Sequence, residues 1–364
     1  MDTVELFLKL LSYESITPDD AGSLEFIQNY LDDFEAIRLD KEDVKNLFLY
    51  KTFGDGEHLC FAGHVDVVPA GDGWDSNPFV PVVKDGIVQA RGAQDMKSGV
   101  AAFIQAAKEC SDFKGTLSIL LTSDEEGDAV YGTDYALQEL EKMDLLPNCA
   151  VVAEPTCQES FGDAIKIGRR GSINGVFKLQ GLQGHAAYPQ KACNPIHQIA
   201  PILAEIAGKD LDSGDEHFAP SKFVITDIRS GMEVTNVTPG SLKMMFNVRN
   251  STQTDKEAIK QFIISKFNNL DYTLQLSQGS YPFLTDSDSK LVQNMVHSIK
   301  QITDTTPKLS TAGGTSDARF IAKYGIDVVE FGVINDTIHA PNERTTIKQV
   351  QKLYEVFVKL LKVY

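Results

Sequence analysis

The chain has 364 residues, a length that predicts about two domains, each large enough to bury its own core. Hydrophobic residues make up 42% and charged residues 23%, the balance of a globular chain and not of a disordered one. Lys and Arg number 34 against 51 Asp and Glu, a formal net charge of −17; nucleic acid and anionic membrane surfaces gain no counterion release from such a chain, so neither is expected as a partner.

The opening segment MDTVELFLKLLSYES is too short and too acidic for a secretory signal and lacks a small-residue cleavage site. No apolar run approaches the roughly 18 residues of a membrane span, so the expected location is the cytoplasm. Val4, Phe7, Leu8 and Leu11 keep the helical period, as do Leu24, Ile27, Leu31 and Phe34. Short apolar runs at 59–63 (LCFAG), 116–121 (TLSILL) and 150–153 (AVVA) read as buried strands, with a helical stripe of Val100, Phe103, Ile104 and Ala107 between the first two. Apolar strands alternating with helices predict an α/β domain around a central, mostly parallel sheet covered on both faces.

After about residue 171 the pattern changes. INGVFKLQG, KFVITDIRSG and SLKMMFNVR read as strands, the last alternating Leu242, Met244, Phe246 and Val248 with Lys243, Met245, Asn247 and Arg249. With helices near 195–207 and 254–268, this predicts a small α+β unit whose sheet is covered on one side. From about 288 the α/β style returns: a helix, a Gly-rich turn AGGTSDARF, a strand IDVVEFG, and a last helix carrying Ile347, Val350, Leu353, Tyr354, Phe357 and Leu361. The expected organisation is one domain from 1–171 and 284–364, with 172–283 inserted.

Cys60, Cys110, Cys149, Cys157 and Cys193 are odd in number and form no CxxC, which disfavours a disulfide framework and a thiolate metal site. They read as buried small hydrophobes, with a reactive thiol at Cys157 as the minor alternative. A metal would then be held by His and carboxylates.

Such residues collect at strand ends. His64 and Asp66 follow LCFAG, Asp95 precedes a helix, Glu125 and Glu126 follow TLSILLTSD, and Glu154 follows AVVA. Ligands of open α/β sheets bind at the carboxyl ends of strands, so these positions converge on one cleft if the sheet forms as expected. Each element is weak alone: His-x-Asp occurs by chance, and adjacent acids are common in so acidic a chain. Together they suit a dinuclear metal site, because borderline metals accept imidazole nitrogen and carboxylate oxygen, and a carboxylate bridges two ions where His cannot. In an extended segment His64 and Asp66 face the same way, so the Asp66 side chain is expected to orient the imidazole; Glu125 and Glu126 point apart, leaving one free as a base. No GxSxG elbow, GxxxxGK[ST] loop or strand-linked GxGxxG is present, and Ser316 reads as a turn residue.

GHVDVVPAGDGW, ARGAQDMKSG, TSDEEG, AEPT, GRRGS, QGHAAYP, NVTPG, GGTSDARF and IHAPNE, in this order along the whole chain, resemble the co-catalytic di-zinc deacylase and carboxypeptidase family. The resemblance implies a zinc-peptidase-like catalytic domain with an inserted dimerisation (lid) domain, and two zinc ions per subunit with cobalt as a substitute. His64 and Glu154 then hold one ion, Glu126 and His339 the second, and Asp95 bridges them. Asp66 stands behind His64, Glu125 is the general base, and the Asp95–Met96 peptide is cis. His185, with Tyr188 and Asn236 in the inserted domain, reaches the active site of the other subunit of a homodimer to stabilise the oxyanion. Arg169, Ser172, Arg249, Gly314 and Thr315 match positions that hold substrate carboxylates. GRRGS with QGHAAYP and GGTSDARF favours members that hydrolyse N-succinyl-LL-2,6-diaminopimelate to succinate and LL-2,6-diaminopimelate in lysine and diaminopimelate biosynthesis. Acetylornithine deacetylase or another N-acyl amino acid deacylase is the alternative, and a catalytically silent metal- or amino-acid-binding protein is the alternative of another class. Gln94, Ala153 and Cys157 depart from the family's usual residues and bear on substrate preference.

Overall fold

The computed structural model describes residues 1–314 and 316–364. The principal elements begin with α1 (Thr3–Leu11), α2 (Ser23–Tyr30), β1 (Glu35–Arg38), β2 (Asn46–Thr52), β3 (His58–His64), α3 (Lys97–Lys108) and β4 (Thr116–Thr122). There follow α4 (Thr133–Lys142), β5 (Cys149–Val152), β6 (Ala164–Lys166), β7 (Ser172–Gln180), α5 (Pro195–Ile206), β8 (Lys222–Ser230), β9 (Ser241–Arg249), α6 (Lys256–Phe267) and β10 (Tyr272–Ser280). The chain ends with α7 (Lys290–Thr303), β11 (Lys308–Ser310), α8 (Ala318–Lys323), β12 (Asp327–Glu330) and α9 (Ile347–Val363). These fall into two compact units, the first comprising Met1–Gly168, Leu284–Ser310 and Ser316–Tyr364, the second Arg169–Phe283 with residues 311–314.

The first unit is built on an eight-stranded mixed sheet in the order β1-β2-β4-β3-β5-β12-β6-β11. Among the described residues four of its seven neighbouring pairs are parallel: β4/β3, β3/β5, β5/β12 and β6/β11. The others, β1/β2, β2/β4 and β12/β6, are antiparallel. The central strands are buried almost without interruption, as expected for a sheet covered on both faces, whereas β1 at the edge is largely exposed. The LFLY run of β2 carries no helical period and passes unremarked in the sequence reading, yet it pairs with β4 along its whole length.

Helix α1 starts with a capping box: Asp2 Oδ1 accepts the N–H groups of Val4 and Glu5 at 2.9 Å, and Glu5 Oε2 accepts the Asp2 N–H at 3.0 Å. Its buried face is Leu6, Phe7, Leu10 and Leu11, not the predicted stripe through Val4 and Leu8. In so apolar a helix two stripes satisfy the same period, and packing chooses between them. The predicted stripe Leu24–Phe34 is likewise helical only to Tyr30. Helix α3 is buried on every side from Lys97 to Ala107, between β3 and the helices α1 and α9.

In the second unit a four-stranded antiparallel sheet runs β8-β9-β7-β10. The alternation of β9 is realised: Leu242, Met244, Phe246 and Val248 are buried and join Ile199 and Ile206 of α5 and Ile259, Ile263 and Phe267 of α6 in one core. The fourth strand, β10, lies outside the sequence expectation; its alternation is carried by partly buried residues.

Three cysteines are buried, but Cys110 is half-buried and Cys193 exposed, which corrects the uniform buried reading. Burial pushes the Cys157 thiol up, so it stays protonated, and its Sγ lies 3.2 Å from the Gly332 carbonyl. Among the described residues no helix is long and apolar enough to cross a membrane.

Candidate active site

The carboxyl ends of β4, β3 and β5 lie side by side, and their register brings the expected residues together. His64, the last residue of β3, is paired with Thr122, the last of β4, while Ala62 is paired with Val152, the last of β5. Parallel neighbours about 4.8 Å apart therefore deliver His64, the Glu125–Glu126 turn and Glu154 to one place. Two close backbone approaches fix Glu154 further. A Cβ at Gly99 would lie 2.4 Å from the Ala153 carbonyl oxygen, and one at Gly332 would lie 2.4 Å from that of Glu154.

Asp95 enters from the turn before α3, and its peptide to Met96 is cis, as the resemblance implies. It stands between two histidines. Asp95 Oδ1 is 3.2 Å from His64 Nε2 and Asp95 Oδ2 is 3.4 Å from His339 Nε2. Glu154 Oε1 lies 3.6 Å from His64 Nε2, and Glu126 Oε1 lies 2.9 Å from His339 Nε2. Glu125 Oε2 is 4.0 Å from His64 Nε2. Potential ligand atoms of His64, Glu125 and Glu154 lie within 4.8 Å of one another, as do those of His64, Asp95 and Glu126.

Asp66 departs from expectation. The assigned strand ends at His64, and His64 Nδ1 makes its shorter contact, 2.9 Å, with the Asp66 backbone carbonyl. The Asp66 carboxylate is 3.5 Å from Nδ1 and accepts the backbone N–H groups of Glu125 at 3.4 Å and Glu126 at 3.1 Å. Its side chain therefore holds the Glu125–Glu126 turn, and its carbonyl orients the imidazole.

So many carboxylates in a buried cluster make it hungry for positive charge. Burial alone would lower His64, but hydrogen bonds to Asp95 and Glu154 and the charges of Asp66 and Glu125 hold it well above the usual histidine range. Bonds to Asp95 and Glu126 raise His339 to about 10. Burial pushes Glu154 up to about 8, with Asp95 repelling it, and lifts Asp66 to about 6. Burial also carries Glu125 well above the carboxylate range, His64 pulling it back while Asp317, Glu154 and Asp95 push further. Asp95 alone is lowered, because hydrogen bonds from His339 and His64 overcome its burial. The donor set is imidazole nitrogen and carboxylate oxygen, with the two oxygens of Asp95 facing His64 and His339, which fits a pair of divalent cations.

The other expected residues belong to the second unit. His185 is exposed, accepts the Ala187 N–H at Nδ1 at 3.1 Å, and lies 5.7 Å from the Tyr188 ring. Asn236 sits beside it, its carbonyl accepting the Ala186 N–H. Arg169 is buried, with Nη1 3.1 Å from the Gly314 carbonyl. Ser172 Oγ accepts from Asn247 at 2.9 Å, and Arg249 ends β9 exposed, opposite Lys222. Thr315 lies outside the described residues. Ser316 precedes α8 as the turn reading expects, and its hydroxyl donates to buried Glu330 at 2.6 Å.

Comparison with known proteins shows the family of this chain. The profile of Peptidase family M20/M25/M40 matches residues 60–363. The chain belongs to this family. It is 67% identical over 362 residues, 100% of both chains, to the succinyl-diaminopimelate desuccinylase of a Nitratiruptor species. To that of a Sulfurovum species it is 65% identical over 100% of this chain and 99% of the relative. Among solved M20-type folds, the aminopeptidase PepT from Bacillus cereus superposes with a TM-score of 0.81 at 19% identity, over 99% of this chain and 97% of that one. The YXEP protein of Bacillus subtilis, described as a dinuclear metal-binding M20 peptidase, gives 0.72 at 13% identity, over 99% and 97%.

Of the residues packed around these candidate ligands, Arg91, Glu343 and Asp317 escape the sequence reading, and Gln94 is read there only for substrate preference. Arg91, Gln94 and Glu343 are buried around Asp95 and the His339 loop, and Asp317 accepts from Thr133 at 2.6 Å close to Glu125. The available signal was charge: Arg91 and Glu343 lie inside ARGAQDMKSG and IHAPNE, motifs quoted only for their ligands.

Proposed function

We propose that this chain is a metal-dependent amidohydrolase that cleaves N-succinyl-LL-2,6-diaminopimelate to succinate and LL-2,6-diaminopimelate, in lysine and diaminopimelate biosynthesis in the cytoplasm. The single observation that carries the metal site is Asp95, whose two oxygens face two different histidines. Support for the substrate comes from relatives of that name at 67% and 65% identity over the full length.

His64 and Glu154 would hold one zinc ion, Glu126 and His339 the second, and Asp95 both. When bound, the ions, zinc or cobalt in its place, supply Lewis acidity that lowers the pKa of water towards 7 and polarises the acyl carbonyl. Glu125, raised by burial and by neighbouring carboxylates, takes a proton from the attacking water at its carboxylate and delivers it to the departing amine. Asp66 keeps Glu125 and Glu126 in place through their N–H groups.

His185 of a second copy in a homodimer donates to the oxyanion. Its Nδ1 accepts the Ala187 N–H, so the neutral ring carries its proton on Nε2, the atom left to donate. Tyr188 and Asn236 accompany it, and Arg169, Ser172, Arg249, Gly314 and Thr315 take up the substrate's carboxylates.

Rates on N-succinyl-LL-2,6-diaminopimelate and N-acetylornithine, with and without added zinc, test the reading. Zinc-dependent turnover faster on the succinyl substrate is expected. Faster turnover of acetylornithine overturns the substrate, and full activity after exhaustive chelation overturns the metal mechanism.

A further inference from the structure

Arg91 and Glu343 form an ion pair with almost no solvent exposure, Nη1 to Oε2 at 2.9 Å. A buried pair of this kind contributes little net stability, because desolvation offsets most of the Coulomb attraction, so its place in the fold calls for another account. Its remaining hydrogen bonds give one. Glu343 Oε2 also accepts the Gly92 N–H at 2.9 Å, and Oε1 accepts those of Gln94 at 2.7 Å and Asp95 at 3.1 Å. Arg91 donates to the carbonyls of His339 at 3.4 Å, Ala340 at 3.3 Å and Ala70 at 3.0 Å. One carboxylate thus gathers the turn that ends in Asp95, and one guanidinium grips the backbone at His339.

His339 needs such a grip. Its φ is 58°, a left-handed conformation uncommon for a non-glycine residue, which persists only where the surroundings impose it. Asp95 and His339 are separated by 244 positions in sequence, yet their side chains must meet at ligand spacing. Gln94 adds a second tie across the same gap, donating to Asp336 and accepting the Thr337 N–H at 2.8 Å.

We propose that Arg91 and Glu343 are a positioning pair that sets Asp95 and His339 at the spacing two divalent cations require, and so determines metal affinity. The inference rests on the ligand assignment made above. It predicts that loosening the pair weakens metal binding before it harms the fold, by the 10- to 100-fold typical of lost partners behind a ligand.

The test uses zinc-loaded full-length enzyme titrated with a competing chromophoric chelator. Glu343→Gln keeps the shape but loses the charge that orders Arg91 and three N–H donors; Arg91→Lys keeps the charge but replaces a planar fork with a single ammonium. Each is expected to surrender zinc to about 10- to 100-fold less chelator than wild type, with activity lost at limiting zinc returning in excess zinc. Met295→Ala, a buried cavity variant in α7, is expected to melt lower yet hold zinc as wild type does. Wild-type zinc retention in both pair variants, or equal zinc loss in Met295→Ala, overturns the proposal. Should Glu343→Gln yield no folded protein, Arg91→Lys decides by the same titration. His339→Ala separates the two levels: if it retains both ions the ligand assignment fails and this proposal with it, whereas zinc loss there alongside intact pair variants removes the pair alone.

Discussion

The carboxylate of Asp66 accepts the backbone N–H of Glu126 at 3.1 Å, tying the end of β3 to the turn after β4. This bond gives Asp66 a task other than orienting the imidazole, and it makes the Glu125–Glu126 turn answer to a residue two positions beyond His64.

Asp66→Ala is accordingly expected to lower kcat about 10- to 100-fold, as the freed turn lets Glu125 and Glu126 drift. Asp66→Asn keeps one acceptor oxygen and falls between the two. Steady-state rates together with zinc content measure the effect; unchanged kcat in Asp66→Ala would remove the turn-holding role.

Glu125→Gln should retain about two zinc ions while activity drops by about 10²- to 10⁴-fold, the range for loss of a general base. The retained metal distinguishes a base from a ligand. Near-normal turnover, or loss of metal in step with activity, contradicts the assignment.

Gly99→Ala places a methyl group 2.4 Å from the Ala153 carbonyl, where neither α3 nor the strand end yields freely. Overpacking of this kind costs about 1–3 kcal/mol and displaces the backbone that carries Glu154. Lower thermal stability and weaker zinc retention are expected together; a shift in melting temperature with zinc retention unchanged would show that α3 gives way instead.

His58 is expected to set a pH dependence away from the proposed metal ligands. Burial lowers it to about 4 from 6.5, and its ring contacts Ser118 Oγ at 2.7 Å. The unfolded chain therefore binds the extra proton between these values, so the contribution is complete above pH 6.5 and is lost as pH falls towards 4. Between pH 7.5 and 5 the loss is about 2 kcal/mol at 1.36 kcal/mol per unit. In urea unfolding of the chelated protein, His58→Gln should lose stability over that interval by about 2 kcal/mol less than wild type. Equal losses in the two proteins would show that His58 does not titrate in this way.

Much of the site could be read before any coordinates. Polar residues terminating apolar runs marked His64, Glu125, Glu126 and Glu154, because parallel strands buried on both faces leave only their ends for chemistry. The α+β character of the second unit was legible in the strict alternation of β9, where one wrong register would turn Leu242, Met244, Phe246 and Val248 to solvent. Strand β10 escaped because its alternation is only half-buried, and the face of α1 was misjudged because a nearly all-apolar helix offers more than one stripe.

What the sequence by itself determined was the kind of chemistry: imidazole and carboxylate donors without a thiolate set, on an α/β frame. The tertiary structure alone decided who supports whom. The Asp66 carboxylate turns to the Glu125–Glu126 amides, and Glu343 reaches back across 248 positions to the Asp95 amide. Local pattern reports which face a side chain occupies, because periodicity is a property of neighbouring residues. A hydrogen bond between distant segments depends on strand order, register and loop path, and these exist only once the sheet has formed.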